Sequence, residues 1–168
     1  VRGTVFPAFG NAHSHVFHRL LRGRTHADGG TFWSWRDKMY AIAGALSPEG
    51  LERIATASFT EMVSSGWGAV GEFHYVHHHA DGEPYPDHDM ELALARAASA
   101  AGIRLTLLDT CYLTGSIGEE LAPEQRRFGD VDVGRWLERW TALRERLAAE
   151  HPNVVLGAAI HSVRAVAA

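Results

Sequence analysis

The sequence predicts an α/β protein in which parallel strands alternate with helices. Four short runs are apolar throughout instead of alternating with polar residues, which is typical of parallel strands that helices cover on both faces. Ionisable residues follow directly after each run, as they do at the carboxyl ends of strands in (β/α)8 barrels and in doubly wound sheets. The first crossover has no glycine-rich phosphate loop, which disfavours a nucleotide-binding doubly wound sheet.

Each predicted strand ends beside side chains that can carry chemistry. Because the carboxyl ends of parallel strands meet at one edge of a sheet, we expect these side chains to lie together. The strands and the residues that follow them are Val5 to Phe9 before His13 and His15, Ala69 to Phe73 before His74 and Tyr75, Ile103 to Leu108 before Asp109, and Val154 to Ile160 before His161 and Arg164.

The segments between the strands carry helix signals. Ser47 and Pro48 suit the N-cap and the first position of a helix that Gly66 would end. Asp87 or Asp89 can cap another helix, which stops at Gly102. The remaining segments are a short helical turn ending near Gly23, a polar loop from Thr25 to Gly30, an aromatic-rich segment from Phe32 to about Leu46, a long loop with Gly115, Gly118 and Pro123, and an amphipathic helix over about 132–150.

Length and composition limit the classes of function. A chain of 168 residues with a formal net charge of −4 has the size of one domain and lacks the basic excess of a nucleic-acid-binding protein. No apolar run is long enough to span a bilayer, so we expect no membrane partner. Cys111 is the only cysteine, which fits a buried apolar role and a cytoplasmic location.

His13 and His15 form the first candidate for a metal site. Residues two apart in an extended strand point to the same side, so both imidazoles can aim at one ion. Zinc binds neutral imidazole nitrogen, but a catalytic zinc normally has three protein ligands, and two histidines do not complete the site. The alternative is a pair of exposed histidines at a strand end.

Two other groups of ionisable residues could be mistaken for catalytic sites. The run from His77 to His79 imitates a metal cluster, but it precedes a turn, and we expect it to be a solvated loop. Glu72 has the position of a general base, but it lies at a strand end close to aromatic residues, and we expect a structural role.

Five stretches of the sequence carry a family resemblance when they are taken together. They are Asn11 to His15, Thr31 to Tyr40, Gly71 to His78, Gln125 to Phe128, and His161 to Val166. Their combination resembles the formimidoylglutamate deiminases of the amidohydrolase superfamily. The resemblance extends through essentially the whole chain and is much more specific than any single motif.

The resemblance implies a zinc enzyme of histidine degradation. One zinc per subunit would activate water, which attacks the formimino carbon of N-formimidoyl-L-glutamate and yields N-formyl-L-glutamate and ammonia. The family usually has glutamine at the position of His18, so this contact differs in geometry and in titration. His161 is implied to contact substrate and not to be a third zinc ligand. By resemblance the metal ligands are His13 and His15, and the substrate-binding residues are His18, Arg36, Tyr75, His161 and Arg164.

The chemistry of arginine agrees with these assignments. A planar guanidinium meets a carboxylate in two parallel hydrogen bonds, so Arg36 and Arg164 suit the two acid groups of the implied substrate. The alternative for each is a solvated surface arginine. Related deaminases and chlorohydrolases act on neutral heterocycles, which have no use for two such clamps, and they remain the alternative activity.

The resemblance also implies that residues 1–168 form a single partial (β/α)8 barrel domain. This domain would comprise about the first four strand–helix units of the barrel. The small β-sandwich, the remaining metal ligands and the general acid/base would lie outside it, the last of these beyond Ala168. We therefore predict no catalytic residue here and an inactive isolated chain, for which a non-catalytic module that binds a dicarboxylate or a partner chain is the alternative. The expected partners are a small dicarboxylate substrate and a second subunit in a homodimer.

Overall fold

In the part of the chain that the structure describes, four parallel strands form one sheet whose spatial order is their order along the chain. The computed structural model describes residues 3–25 and 30–166. Each strand pairs in parallel with its neighbour in sequence, which confirms the predicted α/β class. The strands are β1 (Phe9–Ser14), β2 (Trp67–His74), β3 (Arg104–Cys111) and β4 (Val155–Ile160).

Helices connect the strands, and most begin where the sequence predicts. The Ser47 hydroxyl accepts a hydrogen bond from the backbone N–H of Gly50, and Pro48 occupies the first turn, as expected for this start. Asp132 caps the last helix through the N–H of Arg135. The helices are α1 (Phe32–Ala45), α2 (Pro48–Ser64), α3 (Asp89–Ala101) and α4 (Val133–Glu150), with 3₁₀ helices at Val16–Leu21 and Pro123–Phe128.

The first strand differs from its prediction, because β1 begins where Val5 to Phe9 was expected to end. Pro7 has no amide hydrogen to donate to a ladder, and pairing with β2 starts opposite Trp67, at Phe9. Val5 and Phe6 are 81% and 74% exposed. The strand therefore carries the histidine motif at its own carboxyl end.

The start of α3 also differs from its prediction, because neither aspartate caps it. The N-cap is His88, in the left-handed region with φ of 55°, and it makes no capping hydrogen bond through its side chain. Asp89 is the first helical residue, where its negative charge interacts favourably with the positive end of the helix dipole. Asp87 instead accepts a hydrogen bond from Arg146 at 2.6 Å. Gly102 ends the helix with φ of 73°, as predicted.

The loops hold one further difference from the sequence reading. The predicted long loop contains the 3₁₀ helix Pro123–Phe128, which periodicity did not reveal. Part of the predicted polar loop from Thr25 to Gly30 lies outside the described residues. Within the ranges that the structure describes, every helix falls short of what is needed to cross a membrane.

The core lies between the sheet and its covering helices, where α2 and α3 pack on each other and on β2 and β3. Phe59 of α2, Leu94 of α3 and Leu107 of β3 are among its fully buried side chains. Cys111 is buried as predicted. Alternate residues of β2, such as Phe73, point to the other side of the sheet, where a pocket opens.

Candidate active site

A pocket of about 410 Å³ opens at the carboxyl ends of the four strands. Its walls come from residues that end or follow each strand, together with one side of α1. The pocket brings together all seven residues that the sequence analysis proposed as metal ligands or substrate contacts. They are His13, His15, His18, Arg36, Tyr75, His161 and Arg164.

His13, in β1, and His15, which directly follows that strand, lie side by side in the pocket. The ring centroids of His13 and His15 lie 4.7 Å apart. Nδ1 of His15 lies 2.8 Å from the carbonyl oxygen of Phe73. Because a carbonyl only accepts, Nδ1 carries the hydrogen and Nε2 keeps a free lone pair, which is the arrangement that orients a metal-binding imidazole.

The charge state of His15 suits the same purpose. Burial lowers the pKa of His15, and the nearby His13 and His74 lower it further, against the bond to Phe73 that raises it. The imidazole is therefore neutral near pH 7, as a metal ligand must be. His13 and His15 fit a zinc ion, although two ligands leave its coordination incomplete.

His18 lies beside this pair and reaches the next strand. Its ring centroid is 4.7 Å from that of His15, and its Nε2 is 2.9 Å from the Tyr75 hydroxyl. Burial lowers the pKa of His18 to about 4, with His15 and His13 acting in the same direction. Burial raises the pKa of Tyr75. Both side chains are therefore neutral, and they form one hydrogen-bonded unit next to the proposed metal position.

His161 stands in the middle of the pocket with an unused polar atom. Its ring centroid lies 5.0 Å from that of Tyr75 and 4.6 Å from that of Tyr112. Burial lowers its pKa to about 4, helped by the charges of His15 and Arg164. Its Nδ1 is buried and has no hydrogen-bond partner in the described part of the protein. A buried polar atom without a partner costs about 1–3 kcal/mol, which a bound ligand can recover.

The two arginines lie at different depths of the same pocket. The Arg36 guanidinium stacks on Trp33, 4.5 Å from the ring centroid, and lies 5.5 Å from that of Tyr40. Its Nε is buried and makes no hydrogen bond within the described residues. Arg164 is more exposed, and its backbone carbonyl accepts a hydrogen bond from the Thr114 hydroxyl at 2.8 Å.

Sequence reasoning missed Tyr40, Tyr112 and Gln125, which also line the pocket. Tyr112 was overlooked because the third strand was expected to end at Leu108, whereas β3 continues to Cys111. Gln125 belongs to one of the stretches that carry the family resemblance, but that resemblance gave it no role.

The histidines after β2 contradict the expected solvated loop, because His77 and His78 are 2% and 3% exposed. The backbone N–H groups of both donate to the carbonyl oxygen of Arg127, at 3.1 and 3.0 Å. The ring of His77 bonds Glu91 at 2.6 Å and the carbonyl oxygen of Thr110 at 3.0 Å. These partners are distant in sequence, so a local turn signal gave no sign of them; His79 alone is exposed.

His74, His77 and Glu91 form a second group with metal-like geometry, because one potential ligand atom from each lies within 4.8 Å of the others. The Glu91 oxygen is already bonded to His77 and lies 3.6 Å from the Arg139 guanidinium. Burial raises the pKa of Glu91, but hydrogen bonds from His74 and His77 outweigh burial and hold this pKa well below its usual range. The group is therefore better described as a buried charge network than as an ion site.

Asp109 joins this network and not the pocket. Its two carboxylate oxygens accept hydrogen bonds from the Arg139 guanidinium at 2.7 and 3.0 Å, and one also accepts from the indole of Trp136 at 2.9 Å. The polar residue expected to mark the end of the third strand thus lies on the helix-covered side of the sheet.

Glu72 also lies away from the pocket lining. It is buried and accepts a hydrogen bond from the backbone N–H of Val16 at 2.7 Å. Burial raises its pKa to about 7, although bonds from Ser14 and Val16 act in the opposite direction. This position agrees with the structural role expected from the sequence.

Comparison with known proteins places this geometry in a family. The sequence profile of the amidohydrolase family matches residues 4–166. The chain is 45% identical over 169 residues to a formimidoylglutamate deiminase from Pseudomonas aeruginosa, an alignment that covers 98% of this chain and 37% of that protein. It is 28% identical over 153 residues to an isoxanthopterin deaminase from an unknown prokaryotic organism, with 88% and 28% covered.

A solved structure agrees with the sequence matches. The crystal structure of an amidohydrolase from Brucella melitensis superposes with a TM-score of 0.88 at 37% identity, over 96% of this chain and 37% of that one. The match fits the predicted partial barrel. The chain spans well under half the length of the relatives that it matches.

Proposed function

The chain belongs to the amidohydrolase family, and on that premise we propose that the protein containing it hydrolyses the formimino C–N bond of N-formimidoyl-L-glutamate. The products would be N-formyl-L-glutamate and ammonia, and the metal would be zinc. The predicted single partial domain, homodimer and cytoplasmic location stay predictions.

One observation carries this proposal, namely that a single pocket holds two kinds of chemistry. His13 and His15 offer imidazole nitrogens to a metal, and Arg36, whose guanidinium lies 5.5 Å from the centroid of the Tyr40 ring, offers a cation. Between them the rings form a continuous wall, in which His15 and Tyr75 are 5.6 Å apart, Tyr75 and His161 are 5.0 Å apart, and His161 and Tyr112 are 4.6 Å apart. A substrate with a nitrogenous head and an acidic tail suits this division.

The head would lie beside the histidines. Zinc, when bound to His13 and His15, would supply Lewis-acid activation of water and of the formimino group. The bond from His15 to the Phe73 carbonyl keeps Nε2 free and the ring fixed. His18 and Tyr75 would orient the amidine, because both are neutral and each can donate or accept a hydrogen bond.

The acidic tail would lie beside the arginines. The Arg36 guanidinium stacks on Trp33, and its buried Nε has no hydrogen-bond partner among the described residues. The Nδ1 of His161 is a second polar atom that a ligand would satisfy. Arg164, which also lines the pocket, would provide a second cation for the second carboxylate.

A second candidate is a deaminase or chlorohydrolase of a flat heterocycle. The aromatic side chains of Phe32, Trp35 and Phe73 line the pocket and could stack on such a ring. This reading gives no purpose to Arg36 and Arg164, and we rank it second.

Ammonia release by the full-length protein tests the proposal. The zinc-loaded protein is expected to release ammonia from N-formimidoyl-L-glutamate and not from isoxanthopterin or a triazine. Turnover of a heterocycle without turnover of the formimidoyl compound would move the assignment to the second candidate. Binding of N-formyl-L-glutamate without turnover of any of these compounds would instead favour a non-catalytic dicarboxylate-binding module.

A further inference from the structure

Gln125 is buried at the wall of the pocket, and its amide has one possible orientation. The backbone N–H of Ala122 donates to Oε1 at 2.9 Å. Because a backbone N–H can only donate, the atom that faces it must be the carbonyl oxygen, and Nε2 faces the opposite way. There Nε2 lies 3.1 Å from the Tyr40 hydroxyl, 3.0 Å from the Tyr112 hydroxyl and 3.3 Å from the Gly115 carbonyl oxygen.

This orientation fixes the direction of the tyrosine hydroxyls. Nε2 carries two hydrogens for these three acceptors, and because an amide nitrogen only donates, neither hydroxyl can donate to it and each keeps its own proton for another acceptor. Both hydroxyls lie next to the same Gln125 nitrogen, so at most one of the two protons can be directed at the other hydroxyl. The other O–H proton has no acceptor among the residues that the structure describes, and both tyrosines line the pocket. At least one donor is therefore available to a ligand.

The surroundings of this donor suit an anion. The Arg36 guanidinium lies 5.5 Å from the Tyr40 ring, and the His161 ring lies 4.6 Å from that of Tyr112. Both neighbours have a buried nitrogen without a partner in the described chain. Burial, with the nearby Tyr40, raises the pKa of Tyr112 to about 12, so the hydroxyl keeps its proton at neutral pH.

We propose that Tyr40, Gln125 and Tyr112 form a subsite for one carboxylate of the substrate, which we call the tyrosine subsite. A tyrosine hydroxyl donates to the carboxylate, and Gln125 is a positioning residue that directs it. The proposal rests on the proposed function and adds a specificity: the subsite prefers a carboxylate to a carboxamide of the same shape, whose N–H₂ faces donors and whose oxygen carries no full charge.

Binding measurements test the tyrosine subsite without relying on turnover. The probes are N-formyl-L-glutamate and its two monoamides, N-formyl-L-glutamine and N-formyl-L-isoglutamine. Each is titrated calorimetrically into the full-length zinc-loaded protein. We expect at least one monoamide to bind roughly 10–100-fold more weakly than the diacid, as for a lost hydrogen bond to a charged group.

Gln125→Glu is the decisive variant, because the side chain keeps its shape while Nε2 becomes an acceptor. The tyrosine protons would then turn toward Glu and away from the pocket. We expect roughly 10–100-fold weaker binding of the diacid and loss of its preference over the monoamide. Glu124→Gln, at the exposed neighbouring position, is the matched control and should keep both. Thermal unfolding of each variant confirms that it is folded.

A folded Gln125→Glu protein with the wild-type ratio of diacid to monoamide binding would overturn the subsite and leave Gln125 a structural role. If that variant does not fold, Tyr40→Phe and Tyr112→Phe replace it, and an unchanged ratio in both has the same meaning. Ammonia release from N-formimidoyl-L-glutamate without any preference for the diacid would overturn the subsite alone. Preference for the diacid without ammonia release would overturn the proposed function alone.

Discussion

Replacing Arg139 by methionine is the most informative test of the buried charge network. The Arg139 guanidinium bonds both oxygens of Asp109, at 2.7 and 3.0 Å, and both oxygens of Asp130, at 3.1 and 3.0 Å. The side chains of the two aspartates are 0% and 5% exposed, so water cannot replace the guanidinium. Methionine fills similar space but leaves two buried carboxylates without their cation.

The expected cost follows from what remains buried. Removing one partner of a buried ion pair costs about 3–5 kcal/mol, and two carboxylates lose their partner here, so we expect about 5 kcal/mol. Urea unfolding of the full-length protein measures this loss. Arg135→Met is the matched control on the same helix, because its exposed pair with Glu138 should contribute about 0.5 kcal/mol or less.

The pH dependence of the stability lost in Arg139→Met identifies the cause of the loss. Burial raises the pKa of Asp130, but hydrogen bonds from His78 and Arg139 outweigh burial and hold this pKa far below its usual range. A lowered pKa in the folded state stabilises the protein above the ordinary aspartate pKa of about 4, and this contribution is lost as the pH falls. The difference in free energy of unfolding between the wild type and Arg139→Met should therefore become smaller as the pH falls from about 5 to about 3. A loss below about 1 kcal/mol at pH 7, or a gap independent of pH, would refute this reasoning.

Further predictions concern the metal, the substrate and a buried acid. His13→Ala should abolish zinc binding and ammonia release together, whereas Arg164→Lys should keep zinc, measured by metal analysis, and lower kcat/KM by about 10–100-fold. His18→Gln should keep both zinc and turnover, because glutamine is the usual residue at this position in the family that the sequence resembles. Burial raises the pKa of Glu72 to about 7, so this carboxyl ionises at lower pH in the unfolded chain than in the folded protein. The free energy of unfolding of the wild type, measured in urea titrations, should therefore fall by about 3 kcal/mol from about pH 4.5 to about pH 7. Glu72→Gln should remove this fall.

Local signals in the sequence predicted much of the fold. Ser47 and Pro48 marked the start of α2 because capping depends on neighbouring residues alone. The apolar runs predicted β2 to β4, with ends shifted by a few residues. The first strand was misplaced because the sequence does not show that β2 begins opposite Phe9.

In the candidate site, too, features that depend on neighbouring residues could be predicted, and features that depend on distant residues could not. The spacing of His13 and His15 predicted a shared direction, and the structure brings the pair together. The burial of His77 could not be predicted, because its partners Glu91 and Thr110 come from α3 and β3. Gln125 was equally hidden, since its hydrogen bonds depend on where a 3₁₀ helix returns to the pocket.

The order of the strands has a consequence for how the protein folds during synthesis. Within the described residues each strand pairs with its neighbours along the chain, so the sheet can grow by one unit at a time as the ribosome releases it. The bond between Gln125 and Tyr40 joins residues 85 apart, and that between Arg127 and Ala43 joins residues 84 apart. A nascent chain would therefore present its first three strands before the tyrosine subsite can exist, and the subsite could form only once the 3₁₀ helix Pro123–Phe128 has emerged.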